Sequence, residues 1–310
     1  MFRVRQQIGC TDELVVSCRP EKMDANNSLR VAVLDTGIGN HPDFEGRIEA
    51  FYDFLHGVKY NYDDSGHGTH VAGCIGGSGK ASGGMYRGIS PYCRFIVGKV
   101  LDKNGDGNMD DMRRGIDWVV ENKDRYHIRV LNISIGIGHI ENEDRMNELL
   151  QSVEHAWDSG LVVVCAAGNM GPEPMTISPL GSSKKVITVG CHEGGYFSGK
   201  TSLCEDYSGR GPSPFAVKKP DVVAPGTDII SCNIACRQTL HGYKNAYIKK
   251  SGTSMATPIV SGSAALLLQK YPELTNEQVK RKINYSATDL NEPWTKQGWG
   301  MVNVRNMLIR

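Results

Sequence analysis

Short apolar runs rich in β-branched residues alternate along the chain with segments of helical periodicity. The runs have the length of strands and predict buried strands at 31–34, 95–100, 130–134, 161–166 and 186–189. Apolar positions at helical spacing predict helices at 112–122, 146–159, 255–270 and 275–286, and Thr275 with Gln278 predicts a capping box at the start of the last one. This alternation is typical of an α/β fold, a three-layer sandwich in which helices cover both faces of a mainly parallel central sheet.

The 310 residues contain no internal repeat, low-complexity tract or linker. Hydrophobic residues make up 40% of the chain and charged residues 22%, which is ordinary for a globular protein with a sizeable core. Glycine is abundant, and the glycine-rich stretch 76–88 predicts a loop, because apolar strand-like sequence resumes directly after it. A single large domain is the simplest account.

The charge balance limits the classes of partner. With 35 Lys and Arg against 34 Asp and Glu, the formal net charge is +1, which gives no support for binding to nucleic acid or to an anionic membrane. No apolar stretch reaches the ~18 residues of a membrane span. The N-terminus lacks the apolar region of a secretory signal, and nine irregularly spaced cysteines without a CxxC pair indicate reduced thiols. We therefore expect a cytoplasmic protein; the alternative is an exported protein whose signal has been removed.

Asp35 ends the apolar run of the segment VAVLDTGIGNHPDF, and a Thr-Gly turn follows it. Functional side chains collect at the carboxyl ends of strands in open parallel sheets. Taken alone, however, an aspartate at this position is more commonly the cap of its own turn.

His67 and Ser254 each stand at the start of a predicted helix. Gly66 and Gly68 flank His67 in the segment DDSGHGTHVAGCIGG, which allows another backbone or a substrate to approach the imidazole closely. Ser254, in SGTSMATPIVSGSAALLLQ, has an exposed hydroxyl with the positive end of a helix behind it. Alone, Ser254 would be interpreted as a helix N-cap.

Asp35, His67 and Ser254 together suggest a different interpretation, because they are the groups that turn a weak hydroxyl into a nucleophile. The imidazole accepts the hydroxyl proton, and the carboxylate fixes the tautomer of the imidazole and stabilises its charged form. Since the three residues lie far apart in the sequence, only the fold can bring them together.

The phrases DTGI, HGTHVAG and GTSMATP, in this order, resemble the subtilisin-like serine protease family, which has a known Asp, His, Ser order. The resemblance extends from about residue 29 to the C-terminus through KVLDKNGDG, LNISIG, VVVCAAGN, VVAPG and GWGMVNV. The nucleophile motif G-x-S-x-G is absent at Ser254, which argues against an α/β-hydrolase. The resemblance implies a subtilisin-like catalytic domain at 29–310 with an N-terminal extension or short pro-segment at 1–28, and a serine endopeptidase that forms an acyl-enzyme.

The resemblance also implies the remaining site residues. Asn169 would supply one half of an oxyanion hole, and the backbone N–H of Ser254 the other half. The substrate would bind as an added strand between two edge segments, and small residues would line a roomy pocket for the residue before the scissile bond. These substrate-binding positions are Gly105, Asp106, Gly107, Ser134, Ile135, Gly136, Ala167 and Gly168, with Met109 as the wall of a second pocket.

Two features depart from the family pattern. Only 34 residues precede Asp35, so no full intramolecular chaperone is expected within this sequence. Asp43 matches a calcium ligand of the family, but the loop at 76–88 lacks the usual asparagine ligands, so we expect that site to be missing. No cofactor is expected to be required for the chemistry, and no metal-ligand residue is assigned, although calcium could bind elsewhere as a structural ion.

The segment DKNGDGNMD at 102–110 resembles the opening of a calcium loop. Its twelfth position is Arg113, a cation in place of the bidentate glutamate, so we expect no tight calcium site there. Asp106 would instead face the substrate and favour basic side chains upstream of the scissile bond. Cys74, seven residues after His67, is expected on the same helix face close to that histidine; the alternative is an ordinary core thiol.

Two alternatives to an endopeptidase remain open at this point. One is a non-catalytic scaffold of the same fold that binds peptides, and the other is an esterase or transferase with the same three residues. The complete set of Asp35, His67, Ser254 and Asn169 favours the peptidase. The expected partner is a peptide or protein substrate, and a proteinaceous inhibitor or a pro-segment is a further partner that the resemblance allows.

Overall fold

The computed structural model describes residues 1–20, 28–135, 143–197, 199, 202–212 and 217–309. Within them, seven strands form a parallel sheet in the order β2-β3-β1-β4-β5-β6-β7. The strands are β1 (Arg30–Asp35), β2 (Ile48–Asp53), β3 (Arg94–Lys99), β4 (Ile128–Ile133), β5 (Val162–Ala166), β6 (Ile187–Cys191) and β7 (Val222–Ala224). Because every strand is parallel to its neighbours, all carboxyl ends lie along one edge of the sheet.

Four shorter strands lie outside this sheet. They are β8 (Ile229–Cys232), β9 (Arg237–Thr239), β10 (Gly242–Lys244) and β11 (Tyr247–Lys250). Strands β8 and β11 form an antiparallel ribbon, and β9 and β10 form a hairpin between them.

Helices pack on both faces of the sheet, as the alternation of elements predicted. The helices are α1 (Phe2–Gln7), α2 (Asp12–Ser17), α3 (His67–Gly76), α4 (Met109–Tyr126), α5 (Glu143–Asp158), α6 (Cys204–Tyr207), α7 (Thr253–Lys270), α8 (Asn276–Ser286), α9 (Trp294–Gln297) and α10 (Val304–Ile309). Helix α4 packs on α5, and α3 packs on α7. Two successive residues of β1 contact helices on opposite faces of the sheet: Leu34 packs on Gly115 of α4, and Asp35 lies against Gly68 of α3. The predicted α/β sandwich is confirmed.

The five strands and four longer helices predicted from the sequence all occur, with ends shifted by a few residues. The capping box is confirmed, since Gln278 N donates to Thr275 Oγ1 over 3.2 Å and Thr275 N to Gln278 Oε1 over 2.8 Å. Strands β2 and β7 were not predicted. Strand β2 lies at the edge of the sheet and is only partly buried, so it lacks a continuous apolar run, and β7 has only three residues.

Residues 1–20 pack on the same core as the rest of the chain. Val4, Ile8 and Val15, from the first two helices and the turn between them, are buried, and Arg3 Nη2 donates to Thr227 O over 2.7 Å. The domain boundary between residues 28 and 29 stays a prediction. All nine cysteines lie in the described part of the chain, and each is a free thiol there. No helix among the described residues is long and apolar enough to cross a membrane.

Candidate active site

Asp35 and His67 are in direct contact at the carboxyl edge of the sheet. Asp35 is the last residue of β1, His67 is the first residue of α3, and Asp35 Oδ1 lies 2.6 Å from His67 Nδ1. The Asp35 side chain is fully buried, whereas 26% of the His67 side chain is exposed. A buried carboxylate is only an acceptor, so Nδ1 carries the proton and Nε2 of the neutral ring is left with a free lone pair.

Glycine at position 68 is what allows this contact. A Cβ added at Gly68 would lie 2.2 Å from Gly37 O and 3.1 Å from Asp35 Cβ, so any other residue would push α3 away from the end of β1. Gly66, before the helix, has φ +83°, a backbone conformation that glycine adopts without strain. The expectation that these glycines permit close backbone approach is confirmed for Gly68.

Asp63 is a structural residue of this site that the sequence analysis missed. Its Oδ1 accepts hydrogen bonds from the backbone N–H of Ser65 and Gly66, and its Oδ2 accepts from the N–H and hydroxyl of Thr69. Burial alone would raise the pKa of Asp63, but these hydrogen bonds outweigh it and lower the pKa. An aspartate four residues before His67, at the entry to a helix without a side-chain cap of its own, was the available signal.

Opposing effects act on the pKa of His67. Burial lowers it, whereas the charge of Asp35 and the hydrogen bond to it raise it and prevail, so the net pKa lies above the ordinary value. The charge of Lys250 acts in the lowering direction. Lys250, at the end of β11, is therefore a cation that disfavours the charged imidazole of His67.

Ser254 is the second residue of α7, because the helix begins at Thr253, two residues earlier than the sequence pattern predicted. The strand β11 leads into this helix through Ser251 and Gly252, and Gly252 has φ 141°. Thr253 is fully buried, while Ser254 is half-buried. Its N–H belongs to the first turn and has no intrahelical partner.

Asn169 is held beside Ser254 through one side of its amide. Its Oδ1 accepts from Thr253 N over 3.1 Å and from Thr253 Oγ1 over 3.0 Å. Because a backbone N–H can only donate, the oxygen of the amide must face Thr253, and the NH₂ group faces away. Within the described residues this NH₂ group makes no hydrogen bond, so the protein holds a free donor next to Ser254.

The structure therefore joins Asp35 with His67, and Asn169 with the residue before Ser254. No hydrogen bond connects His67 to Ser254 in the described part of the chain. Hydrogen bonds between catalytic groups are often long in empty sites, so this does not argue against the pairing.

The substrate-binding residues predicted from the resemblance lie after β3, β4 and β5, at the edge of the sheet where Asp35 lies. Gly105, Asp106 and Gly107 are exposed, and Ser134 and Ile135 follow β4 directly. Gly136 lies outside the described residues. Ala167 and Gly168 follow β5 and are buried, with exposed Asn169 after them. Their roles in binding, and that of Met109, stay predictions.

The segment 102–110 is a turn and a helix cap. Asp102 Oδ1 accepts from the backbone N–H of Asn104 and Asp106, and Asn108 Oδ1 accepts from Asp111 N at the start of α4. Hydrogen bonds from the backbone N–H of Asn104 and Asp106 lower the pKa of Asp102. Arg113 lies within α4, 3.4 Å from Asp117. These contacts use the Asp102 carboxylate within the turn and are compatible with the expectation that no tight calcium site forms.

Asp43 contacts the loop at 76–88, and the groups of the loop that face its carboxylate are hydrogen-bond donors rather than oxygen ligands. Its carboxylate accepts from Gly79 N over 3.0 Å, from Ala81 N over 3.0 Å and from the Tyr247 hydroxyl over 2.9 Å. A calcium ion needs oxygen ligands pointing toward it, and here hydrogen atoms point at the carboxylate from several sides. The donor set therefore does not fit calcium at this position.

His41, Asp43 and Cys232 are buried, and their ligand atoms lie within 4.8 Å of one another. These atoms are already bonded to protein: His41 Nε2 lies 2.8 Å from Ala246 O, His41 Nδ1 accepts from Asp43 N, and the Cys232 thiol donates to Asp43 Oδ2. Burial lowers the pKa of His41 and raises that of Cys232, so both stay neutral. We interpret the cluster as a hydrogen-bonded core network.

The expectation for Cys74 is corrected. Its Sγ lies 3.8 Å from Nδ1 of His70, a different histidine of α3. Residues four apart contact each other on a helix, whereas seven residues separate two positions by about 10 Å along the axis. Both side chains are fully buried, and burial raises the pKa of Cys74 to about 11 and lowers that of His70 to about 3. Cys74 is a core thiol.

Comparison with known proteins agrees with this geometry. The model of the Subtilase family matches residues 26–300. The chain is 41% identical over 290 residues to serine protease AprX of Bacillus subtilis (strain 168), covering 90% of this chain and 65% of that protein. It is 32% identical over 280 residues to subtilisin DY of Bacillus licheniformis, covering 89% of each.

Solved structures give the same result for the fold. The structure of sphericase superposes with a TM-score of 0.76 at 28% identity, over 90% of this chain and 92% of that one. The S41 psychrophilic protease superposes with a TM-score of 0.74 at 27% identity over the same shares. The family match, the relatives and the fold agree, and the chain belongs to the subtilase family of serine endopeptidases.

Proposed function

We propose that this chain is a serine endopeptidase in which Ser254 is the nucleophile, His67 the general base, Asp35 the group that orients His67, and Asn169 an oxyanion donor. The observation that carries the proposal is the 2.6 Å contact between Asp35 Oδ1 and His67 Nδ1, made by a buried carboxylate and a partly exposed imidazole. The relatives named serine protease AprX and subtilisin DY support it. This chain spans 65% of the length of AprX.

The proposed reaction follows from the proton positions. Nε2 of His67 accepts the proton of the Ser254 hydroxyl while Oγ attacks the scissile carbonyl carbon, and the C=O electron pair moves onto oxygen. The imidazolium that forms is stabilised by Asp35. When the tetrahedral intermediate collapses, Nε2 returns the proton to the leaving amine, and an acyl-enzyme remains. Water, activated by the same imidazole, then hydrolyses the ester and restores Ser254.

The negative oxygen of the intermediate needs donors that are already in place, because reorienting donors during the reaction would raise the barrier. The free NH₂ group of Asn169 and the unpaired first-turn N–H of Ser254 are two such donors. A substrate bound as an extended strand beside the segments at 105–107 and 134–135 would present its carbonyl to them.

A fluorophosphonate probe tests the assignment, since it forms a covalent bond with an activated serine. We expect labelling of the wild-type chain and complete loss of labelling and of peptide hydrolysis in Ser254→Ala, with the thermal unfolding midpoint unchanged. Retention of more than about a hundredth of the activity would contradict the role of Ser254, because loss of a nucleophile costs far more.

The same protein preparations separate the alternatives. Absence of labelling in a folded wild-type chain would favour a non-catalytic peptide-binding scaffold. Turnover of ester substrates without turnover of matched amides would favour an esterase. We expect hydrolysis of both, with the amide activity lost together with the ester activity in Ser254→Ala.

A further inference from the structure

One part of the surface near the candidate site carries cations without counter-ions. The segment 229–269 contains no Asp or Glu, and its Lys and Arg residues lie on β9, β10 and β11: Arg237, Lys244, Lys249 and Lys250. We call these four residues the basic wall. Three of them are exposed and Lys250 is half-buried, and none forms an ion pair with a described residue.

Two residues of the basic wall face each other directly. In the hairpin, Arg237 of β9 pairs with Lys244 of β10 in the antiparallel register. Like charges directly opposite each other on two strands destabilise the pairing. An anion bound between the two side chains would relieve this repulsion. The hairpin should therefore be more stable with an acidic group bound to it than without one.

The basic wall lies next to His67. The ribbon of β8 and β11 packs on α3, where His70 Nε2 lies 2.9 Å from Ile229 O and 3.2 Å from Ile248 O. A Cβ added at Gly66 would lie 3.1 Å from Ile234 Cγ1, so the loop between β8 and β9 contacts the residue before His67. The charge of Lys250 also acts on His67. Lys250 precedes Ser254 by four residues, which places the β11 end of the wall beside the candidate site.

The direction in which a substrate chain binds follows from the segments on the opposite side of the site. The segments at 105–107 and 134–135, together with Asn169, follow β3, β4 and β5, and under the proposed function they hold the part of the substrate before the scissile bond. Strands β8 and β11 contact the first turn of α3 instead. The leaving part of the substrate therefore departs across the basic wall.

We infer that the basic wall binds acidic side chains that follow the scissile bond, so that the preferred substrates are polypeptides with Asp or Glu on the leaving side. This inference rests on the proposed function and adds a substrate class to it. Lysine ammonium groups on flexible side chains can donate to a carboxylate in several geometries. Acidic residues at more than one position after the scissile bond would therefore be recognised. Exposed charges are screened by salt, so the preference depends on ionic strength.

Two fluorogenic peptides with the same residues up to the scissile bond provide the test. One continues with Glu-Asp-Glu and the other with Gln-Asn-Gln, which are similar in shape and uncharged. At about 0.02 M salt we expect kcat/KM for the acidic peptide to exceed that for the neutral one by about fivefold, and at about 0.5 M salt the ratio should fall close to one.

Variants assign the preference to the basic wall. We expect Lys249→Gln with Lys250→Gln, and separately Arg237→Gln with Lys244→Gln, each to lower the ratio, and all four changes together to abolish it. Lys184→Gln is the matched control, because Lys184 is an exposed lysine before β6, at the amino end of the sheet, and it should keep the wild-type ratio. Taking the ratio of two peptides cancels effects on catalysis that both peptides share.

A peptide anilide with the same residues before the scissile bond separates the inference from the proposed function, since nothing charged follows its bond. If Ser254-dependent anilide hydrolysis occurs but the two peptides are cleaved equally at low salt, the inference is wrong and the proposed function stands. A ratio that persists in the fourfold variant also overturns it. If the anilide is not hydrolysed and the fluorophosphonate does not label, the proposed function fails and the inference fails with it.

Discussion

Thr36 Oγ1 donates a hydrogen bond of 2.9 Å to Asp63 Oδ1 and accepts one of 2.9 Å from Gly68 N. Thr36 follows Asp35, and Gly68 follows His67. The two neighbours of the catalytic candidates are thus bonded to each other, and Asp63 is bonded to one of them. The end of β1 and the start of α3 are held together independently of the hydrogen bond between Asp35 and His67, so the imidazole is oriented before a substrate binds.

Asp63→Asn should weaken both the fold and the reaction. An amide offers one acceptor oxygen in place of two, and its NH₂ group would face donors, so some of the bonds to Ser65, Gly66, Thr69 and Thr36 are lost. We expect the free energy of unfolding to fall by about 2–3 kcal/mol at neutral pH and kcat to fall more than KM changes. Chemical denaturation and steady-state kinetics measure the two effects.

The pH dependence of this stability has a definite sign. The folded-state pKa of Asp63 is lowered, so its contribution is complete above the unfolded value of about 3.9 and is lost as the pH falls through the folded value. The difference in unfolding free energy between wild type and Asp63→Asn should therefore shrink in acid. Asp117→Asn, at a half-buried aspartate of α4 that pairs with Arg113 on the surface, is the control and should lower the unfolding free energy far less at neutral pH. A constant difference for Asp63→Asn would contradict the role of its charge.

The large elements of this fold could be predicted because they are buried. Strands such as β5 are apolar throughout, and α7 is apolar on nearly every side, so their sequences stand out. The ribbon and hairpin from β8 to β11 could not be predicted, since β9 and β10 have three mostly exposed residues each and no apolar pattern. The ribbon of β8 and β11 forms across the intervening hairpin and packs on α3, and such non-local pairing leaves no local signal.

Some residues of the candidate site could likewise be predicted from the sequence, and others could not. Asp35, His67 and Ser254 stand next to turns and helix starts that the sequence marks, and the motifs around them are specific. Asp63 and Thr36 act by accepting or donating several hydrogen bonds to backbone and side chains, which depends on how two loops meet. The prediction that Cys74 lies close to His67 was wrong, because helix periodicity gives the face on which a residue lies and not its distance along the helix axis.

Asn169→Leu should remove a donor without opening a cavity, because the two side chains have similar size. We expect kcat to fall by about 10²–10³ with little change in KM, which is the magnitude that loss of an oxyanion donor costs in subtilisin. Thr253→Val removes the hydroxyl that holds Asn169 Oδ1 and should lower kcat to a smaller extent. Steady-state kinetics on an anilide substrate measure both, and a change confined to KM would show that Asn169 only binds substrate.

Lys250→Gln should move the acid limb of the rate profile to higher pH. His67 must be neutral to accept the serine proton, and its pKa lies above the ordinary value of about 6.5, so activity rises with pH through that range. The positive charge of Lys250 disfavours the imidazolium, and its removal raises the pKa of His67 further. The profile of kcat/KM on an uncharged anilide measures the midpoint, which Lys184→Gln should leave unchanged. A shift to lower pH, or none, would contradict the influence of Lys250 on His67.

Calcium chelation should leave this protein's stability unchanged, whereas Tyr247→Phe should lower it. The Asp43 carboxylate accepts hydrogen bonds from Gly79, Ala81 and Tyr247, and burial raises the pKa of Tyr247, so its hydroxyl keeps the proton it donates. Removing that donor leaves a buried carboxylate with fewer partners, which costs about 1–3 kcal/mol.

Thermal unfolding with and without EDTA, for wild type, Tyr247→Phe and Tyr86→Phe, decides between donors and a metal at Asp43. Tyr86 packs edge-on against Tyr247 with ring centroids 4.9 Å apart, and in the described part of the chain its hydroxyl makes no hydrogen bond to Asp43, so its variant removes only a neighbouring hydroxyl. We expect only Tyr247→Phe to lower the midpoint, and EDTA to have no effect on any of the three. A midpoint that EDTA lowers and added calcium restores, with Tyr247→Phe indistinguishable from Tyr86→Phe, would show that a metal holds the loop at 76–88, because hydrogen-bond donors cannot be removed by a chelator.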